Sequence, residues 1–232
     1  MAAFDIIFIS YNELNAEKNL SQLKERFPLV KHVKGVTGIH QAHIEAAKRS
    51  FTPMFWVVDA DAVILDSFNF DYTVTPEEHD IVHVWRSRNP INGLEYGYGG
   101  VKLLPKKLTL SMDKTSTDMT TSISSRFKAM EEVSNITAFN TDAFSTWRSA
   151  FRECCKLAVT NNVESLARLK VWSTLVEDVP YGYYAYLGAL AGRAYGEKNA
   201  SNKEALSKIN DFTWLQDLWS LEKSQLSLEH KQ

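Results

Sequence analysis

Two aspartates separated by one residue, Asp59 and Asp61 in FWVVDADAVIL, close an apolar run that begins at Phe55. Carboxylates at the end of a buried strand are costly unless a cation or a hydrogen-bonding partner compensates them. Positions i and i+2 of a strand face the same way, so both side chains would share one hard divalent cation, Mn2+ or Mg2+. Waters and substrate phosphates would complete its shell, and the ion would make a diphosphate a better leaving group. The plainer alternative is a polar strand end, with Asp59 capping a turn and Asp61 solvated.

The elements that must position this pair alternate. Residues 4–10, FDIIFIS, read as a buried strand, and AEKNLSQLKERFP as a helix with Leu20, Leu23 and Phe27 on one face, closed by Pro28. LVKHVKGV is a short strand, GIHQAHIEAAKRS a helix rich in small apolar residues, and the Phe55 run a third strand. This β-α-β-α-β order implies a Rossmann-like α/β fold, with a mainly parallel central sheet flanked by helices. Ligands of such sheets gather at the carboxyl ends of the strands, where the aspartates sit. Farther on, DIVHVWRSRNP and GYGGVKLLPKK read as two strands joined by a turn, and residues 110–140 carry no clear element. TDAFSTWRSAFRECCKLAV, YGYYAYLGALAGRAYG and DFTWLQDLWSLEKSQ read as helices. The expected organisation is a single domain over 1–232, with an α/β core at 1–108 and a mostly helical portion at 109–232.

Composition narrows the classes. Apolar residues at 44% and charged residues at 23% match an ordinary globular protein. A formal charge of -2 excludes a global basic field, so a nucleic-acid partner would need a local patch. Cys154 and Cys155 are adjacent, without metal-ligand spacing, and read as core filler in a reducing compartment. The start MAAFDIIFIS does not read as a signal peptide, and no apolar run approaches the ~18 residues of a membrane span. No membrane association and a cytoplasmic location are the expectation.

The stretch GVTGIHQAHIEAAKRSFTPMFWVVDADAVI resembles the heart of the GT-A nucleotide-sugar glycosyltransferases, where a helix rich in small residues leads into an apolar strand ending in a D-x-D motif. DIIFISYNE resembles their first strand, whose following loop holds the nucleobase. The likeness covers the first 65 residues and, less closely, the stretch to residue 105. It implies a nucleoside-diphosphate sugar as donor, UDP-linked above all. Asp61 would bind the metal, Asp59 the metal shell or the ribose, and Ser10, Tyr11 and Asn12 would line the nucleoside pocket. The Arg-Asn pair common in the family's helix is replaced by HQAH, so His40 and Gln41 would contact the donor or merely cap the helix. HVWRSRNPINGLEYGYGGVKLLPK also resembles small bacteriophage enzymes that glucosylate or arabinosylate hydroxymethylcytosine in their own DNA. That implies a DNA acceptor and a host-cytoplasmic setting.

Acceptor-side residues follow from the same likeness. Gly97, Gly99 and Gly100 surround Tyr98 ahead of a strand, so they are no dinucleotide fingerprint. They would let backbone approach a ligand while the tyrosine stacks on a sugar or base, or they form a simple hairpin turn. Trp85, Arg86 and Arg88, with Lys102, Lys106 and Lys107, would form a cationic rim for acceptor phosphates if they converge, and an ordinary solvated face otherwise. An inverting transfer needs a base for the acceptor hydroxyl. Asp142 in AFNTDAFSTW is the candidate, a plain helix cap being its alternative. His83 reads as structural, with a role as ligand or base the alternative.

Two competing classes remain. A haloacid-dehalogenase-like phosphatase or phosphotransferase would use the first Asp of D-x-D as nucleophile, but its motif continues with Gly-Thr near the chain start, whereas Ala62 and Val63 follow Asp61. A non-catalytic binding module on the same fold is the other.

Overall fold

A computed structural model describes residues 2–97, 99–114 and 119–229. They divide into two compact units, Met1–Ala138 and Phe139–Gln232. The first unit opens with β1 (Asp5–Ser10), α1 (Ala16–Arg26), β2 (Lys31–Lys34), α2 (Ile39–Arg49) and β3 (Met54–Asp59). There follow β4 (Ala62–Ile64), β5 (Val82–Arg88), β6 (Glu95–Tyr96), β7 (Val101–Pro105), α3 (Lys106–Leu110), α4 (Met119–Ile123) and β8 (Phe127–Thr137).

These strands form one 8-stranded sheet, in the order β2-β1-β3-β7-β5-β8-β4, with β6 a hairpin partner of β5. β1 runs parallel to β2 and β3, and β5 parallel to β8. β7 lies antiparallel between β3 and β5. The α/β class expected from the alternating pattern is therefore present, with a reversed strand inserted mid-sheet.

Alternation along β1 and β3 sends successive side chains into two apolar layers. Ile6, Phe8, Trp56, Val58 and Leu103 pack with Leu20 and Leu23 of α1. On the opposite face Ile7, Phe55, Val57, Val84 and Leu104 pack with Ile44, Ala46 and Ala47 of α2. Each sheet face thus has its own helix, as a buried parallel unit requires.

β8 explains why residues 110–140 resist a sequence reading. Its first part is exposed, and its buried part carries Ser134, Asn135 and Thr137 in place of apolar residues. Those polar groups are satisfied internally. The hydroxyls of Ser87 and Ser134 donate to Asn135 Oδ1 at 2.8 and 2.9 Å.

The second unit is helical: α5 (Ala143–Thr160), α6 (Val163–Trp172), α7 (Gly182–Asn199), α8 (Lys203–Ser207) and α9 (Phe212–Glu229). Trp147, Phe151, Leu215 and Trp219 form its core, with Tyr184 and Tyr195 packed against them. Cys154 and Cys155 are both buried as free thiols.

Candidate functional site

The two aspartates do not share a strand. β3 ends at Asp59, and Ala60 and Asp61 form a turn into β4. The expectation that alternation aligns the two carboxylates is corrected accordingly. β4 pairs with β8 rather than β3, so the chain must leave the line of β3 at Ala60. Three hydrogen bonds hold the corner. The Asp59 N–H donates to the Gly100 carbonyl at 2.9 Å, and the Ala138 N–H to the Asp61 carbonyl at 2.7 Å. The buried Asn19 amide on α1 donates to the Ala60 carbonyl at 2.8 Å. The carboxylates are therefore presented from a backbone fixed on three sides.

Their electrostatics differ. Asp61 is half-buried, and desolvation, then the charges of Asp59 and Glu13, push its carboxyl up to about 7 against the pull of Lys102. Asp59 instead accepts a hydrogen bond from Lys102 Nζ at 2.8 Å in an ion pair whose lysine side chain is only 3% exposed. Lys102 Nζ also donates to the Gly99 carbonyl. One carboxylate is ion-paired with a buried lysine, and the other has no ion-pair partner among the described residues.

That donor set fits a hard divalent ion in one mode. Among the described residues no group of three or more His, Cys, Asp or Glu could hold a metal ion. Mg2+ and Mn2+ sites commonly use one or two carboxylates, with phosphates and water supplying the rest. Asp61 suits that mode, with Asp59 beside it.

The carboxyl ends of β1 and β3 lie side by side, Ile9 opposite Asp59, which brings Ser10, Tyr11 and Asn12 to the same edge. The Ser10 hydroxyl is buried and engaged with His32 Nε2 at 2.8 Å. Tyr11 and Asn12 are exposed, and the Tyr11 N–H donates to Glu13 at 2.7 Å. At the start of α2, Gln41 is occupied at both ends, donating to Glu45 at 2.8 Å and accepting from Lys114 at 2.9 Å. His40 is half-buried, and its Nε2 has no protein partner among the described residues. His43, one turn on, is 2% exposed. Its Nδ1 donates to the Ile39 carbonyl at 2.8 Å, leaving Nε2 a bare acceptor. Burial and the neighbouring Lys102 charge lower its pKa to about 3.

The expected acceptor rim is not assembled as one surface. Trp85 is buried, its ring centroid 4.5 Å from that of Trp56, because β5 alternates and position 85 faces the α1 layer. Arg86 and Arg88 project from the other face and are exposed, Arg88 paired with Glu95 at 2.8 Å. Lys102 is not on a rim but beneath Asp59, and Lys106 donates to the Ser50 carbonyl at 2.7 Å. Gly99 has φ +76°, a left-handed backbone that favours glycine. Gly100 is small for a packing reason, since a Cβ there would lie 2.8 Å from Asn135 Nδ2. Tyr98 lies outside the described residues.

Asp142 caps α5, accepting from the Ser145 N–H at 2.8 Å and its hydroxyl at 2.7 Å. Burial raises its pKa, but these bonds and one from Thr141 outweigh it and leave the carboxyl below its usual value. His83 is fully buried beside the Tyr72 and Trp85 rings, and neither of its ring nitrogens is hydrogen-bonded among the described residues. Lys102 and His43 are the site groups whose roles the sequence leaves unread; a lone lysine inside VKLLP is the signal that could have found the first.

No protein-family model matches the chain, and no curated protein does. Among solved structures it is similar to a glycosyltransferase involved in the glycosylation of the major capsid of PBCV-1, at 12% identity over 55% of this chain and 82% of that one, TM-score 0.34. It is also similar to the mannosyltransferase PcManGT from Pyrobaculum calidifontis in complex with GDP-Man and Mn2+, at 14% identity over 89% of this chain and 73% of that one, TM-score 0.49. These are distant likenesses, and the reading below rests on the aspartate corner and the sequence around it.

Proposed function

We propose that this chain is a GT-A-like, metal-dependent glycosyltransferase that moves a sugar from a nucleoside diphosphate to an acceptor hydroxyl. The observation that carries this is the uncompensated Asp61 carboxyl, pushed up to about 7 on a rigid corner at the carboxyl edge of the parallel strands. Such a site favours a bound cation, and that edge is where α/β folds bind nucleotides. A divalent ion supplies charge to a departing diphosphate. Asp61 would hold it, while Lys102 fixes Asp59 in orientation. The exposed Tyr11 ring offers a stacking face for a base.

UDP is the proposed nucleotide and hydroxymethylcytosine in DNA the proposed acceptor, both on the sequence resemblance, with Arg86 the exposed cation best placed on β5 for an acceptor phosphate. The decisive experiment is a thermal-shift panel of nucleoside diphosphates with and without Mn2+, since a ligand that binds only the folded state raises its stability. A shift that needs both nucleotide and Mn2+, and vanishes in D61N, is the expected result. No shift with any nucleotide overturns the reading. Mass spectrometry of hydroxymethylcytosine DNA incubated with UDP-sugars then tests the acceptor.

A further inference from the structure

The lysine beneath the aspartate corner constrains how a metal could enter. Lys102 stands on β7 opposite Val57 of β3 and Val84 of β5, so its side chain runs under α2 on the sheet face of Val57 and Asp59. It is 2% exposed. A buried ammonium needs a counter-charge, and Asp59, 2.8 Å away, is the one the structure provides. The Gly99 backbone carbonyl accepts a second hydrogen bond from the same group. Asp61 has no ion-pair partner among the described residues, so with both carboxyls ionised the lysine leaves the pair one net negative charge to offer instead of two.

This charge pattern discriminates between two forms of the same cation. A free dication meets one available carboxylate and a repelling ammonium close by. A dication already carrying a nucleoside diphosphate brings its own oxygen ligands, and its phosphates are attracted to the same ammonium. Given the glycosyltransferase reading, on which this rests, we propose that Lys102 is a positioning residue that reserves Asp59 and makes divalent-metal binding conditional on the nucleoside diphosphate. Metal and nucleotide then bind with positive coupling, and the coupling is reciprocal: each raises the affinity of the other by the same factor.

The test measures free Mn2+ by electron paramagnetic resonance while wild-type protein, K102M and K102R are titrated, first with the metal alone and then with UDP or GDP present. Wild type is expected to bind Mn2+ alone weakly and at least on the order of tenfold more tightly with the nucleotide. K102M frees Asp59 and removes the repelling charge, so it should bind Mn2+ alone on the order of tenfold more tightly than wild type and lose most of the coupling. K102R keeps a cation in place and should behave as wild type does. A lysine that merely stabilised the fold would not raise metal affinity on removal. Thermal melts establish which variants fold; should K102M not fold, K102Q, which removes the charge but keeps a hydrogen-bond donor for Asp59, takes its place with the same expected gain in Mn2+ affinity. A folded K102M with unchanged Mn2+ affinity overturns the role of Lys102 and leaves the glycosyltransferase reading standing; nucleotide binding with no effect on Mn2+ affinity overturns the metal dependence as well. No nucleotide binding at any Mn2+ concentration overturns both.

Discussion

Asp61 makes a prediction that needs no substrate. Its folded value of about 7 lies above the 3.8 of the free side chain. Between those values the folded chain keeps a proton that the unfolded chain has lost, so this residue's contribution to stability falls as pH rises from about 4 to about 7. D61N abolishes that loss. Without metal, D61N and wild type should be alike near pH 4, and D61N should be the more stable near pH 8. Full burial would make the gap ~4 kcal/mol, and screening at a half-buried site reduces it to on the order of 2 kcal/mol. Urea denaturation at several pH values measures it, and a gap that does not change with pH would refute the raised carboxyl. His43 has the opposite sign: its folded value of about 3 lies below 6.5, so its contribution is complete above 6.5 and is lost as pH falls toward 3. H43Q should therefore gain on wild type as the solution is acidified. If the chain transfers a sugar as proposed, D61N should cost on the order of 100-fold in rate, with the fold intact.

Among the elements, α5 and α7 carry the sharpest expectation, because helix propensity and packing disagree about it. Glycine inside a helix is about 1 kcal/mol worse than alanine, so propensity alone says that Gly188→Ala and Gly192→Ala stabilise. A Cβ at Gly188 would lie 2.2 Å from the Trp147 carbonyl oxygen, and one at Gly192 2.1 Å from that of Phe151. Both obstacles are backbone, so the helices must separate, and each substitution should destabilise by about 2 kcal/mol or more. Chemical denaturation followed by circular dichroism reads the sign directly. The same contrast between local and tertiary signals explains what the sequence disclosed. β1 and β3 are legible because each is an apolar run, β5 and β7 because β-branched and apolar residues cluster around a few polar ones, and α2 and α5 because their apolar residues recur at helical spacing. β8 is illegible because its buried part is a polar network that closes against Arg86 and Ser87, 48 residues earlier. The pair at 59 and 61 is legible as chemistry but not as geometry, since the turn at Ala60 depends on β4 pairing with β8. Lys102 reads as a surface cation because its partner lies 43 residues away. Trp85 cannot join a cationic rim with Arg86 and Arg88, because it packs in the α1 layer while those two arginines are exposed.

At the scale of the molecule, the sheet unit and the helical unit each have an apolar cluster of their own. Both layers on the sheet lie within residues 1–138, and the cluster around Trp147 and Trp219 lies wholly within the helical unit. The aspartate corner, its three backbone supports and Lys102 all belong to the first unit. Units that own separate cores have no need to unfold together, and two-state behaviour is a property of single cooperative cores. Calorimetry should resolve two transitions. UDP with Mn2+ should move only the one belonging to the sheet unit, since a ligand stabilises what it binds by mass action. Tryptophan fluorescence assigns them: Trp56 and Trp85 stack in the sheet layer, whereas Trp147, Trp172, Trp214 and Trp219 lie in the helical unit. A W56F/W85F variant therefore keeps a signal from the helical unit alone, and its fluorescence transition should ignore nucleotide and metal. D61N should erase the calorimetric shift while leaving both transitions in place. A single endotherm whose calorimetric and van't Hoff enthalpies agree would show that the two cores melt as one, and the ligand would then have to stabilise the whole chain to be seen at all.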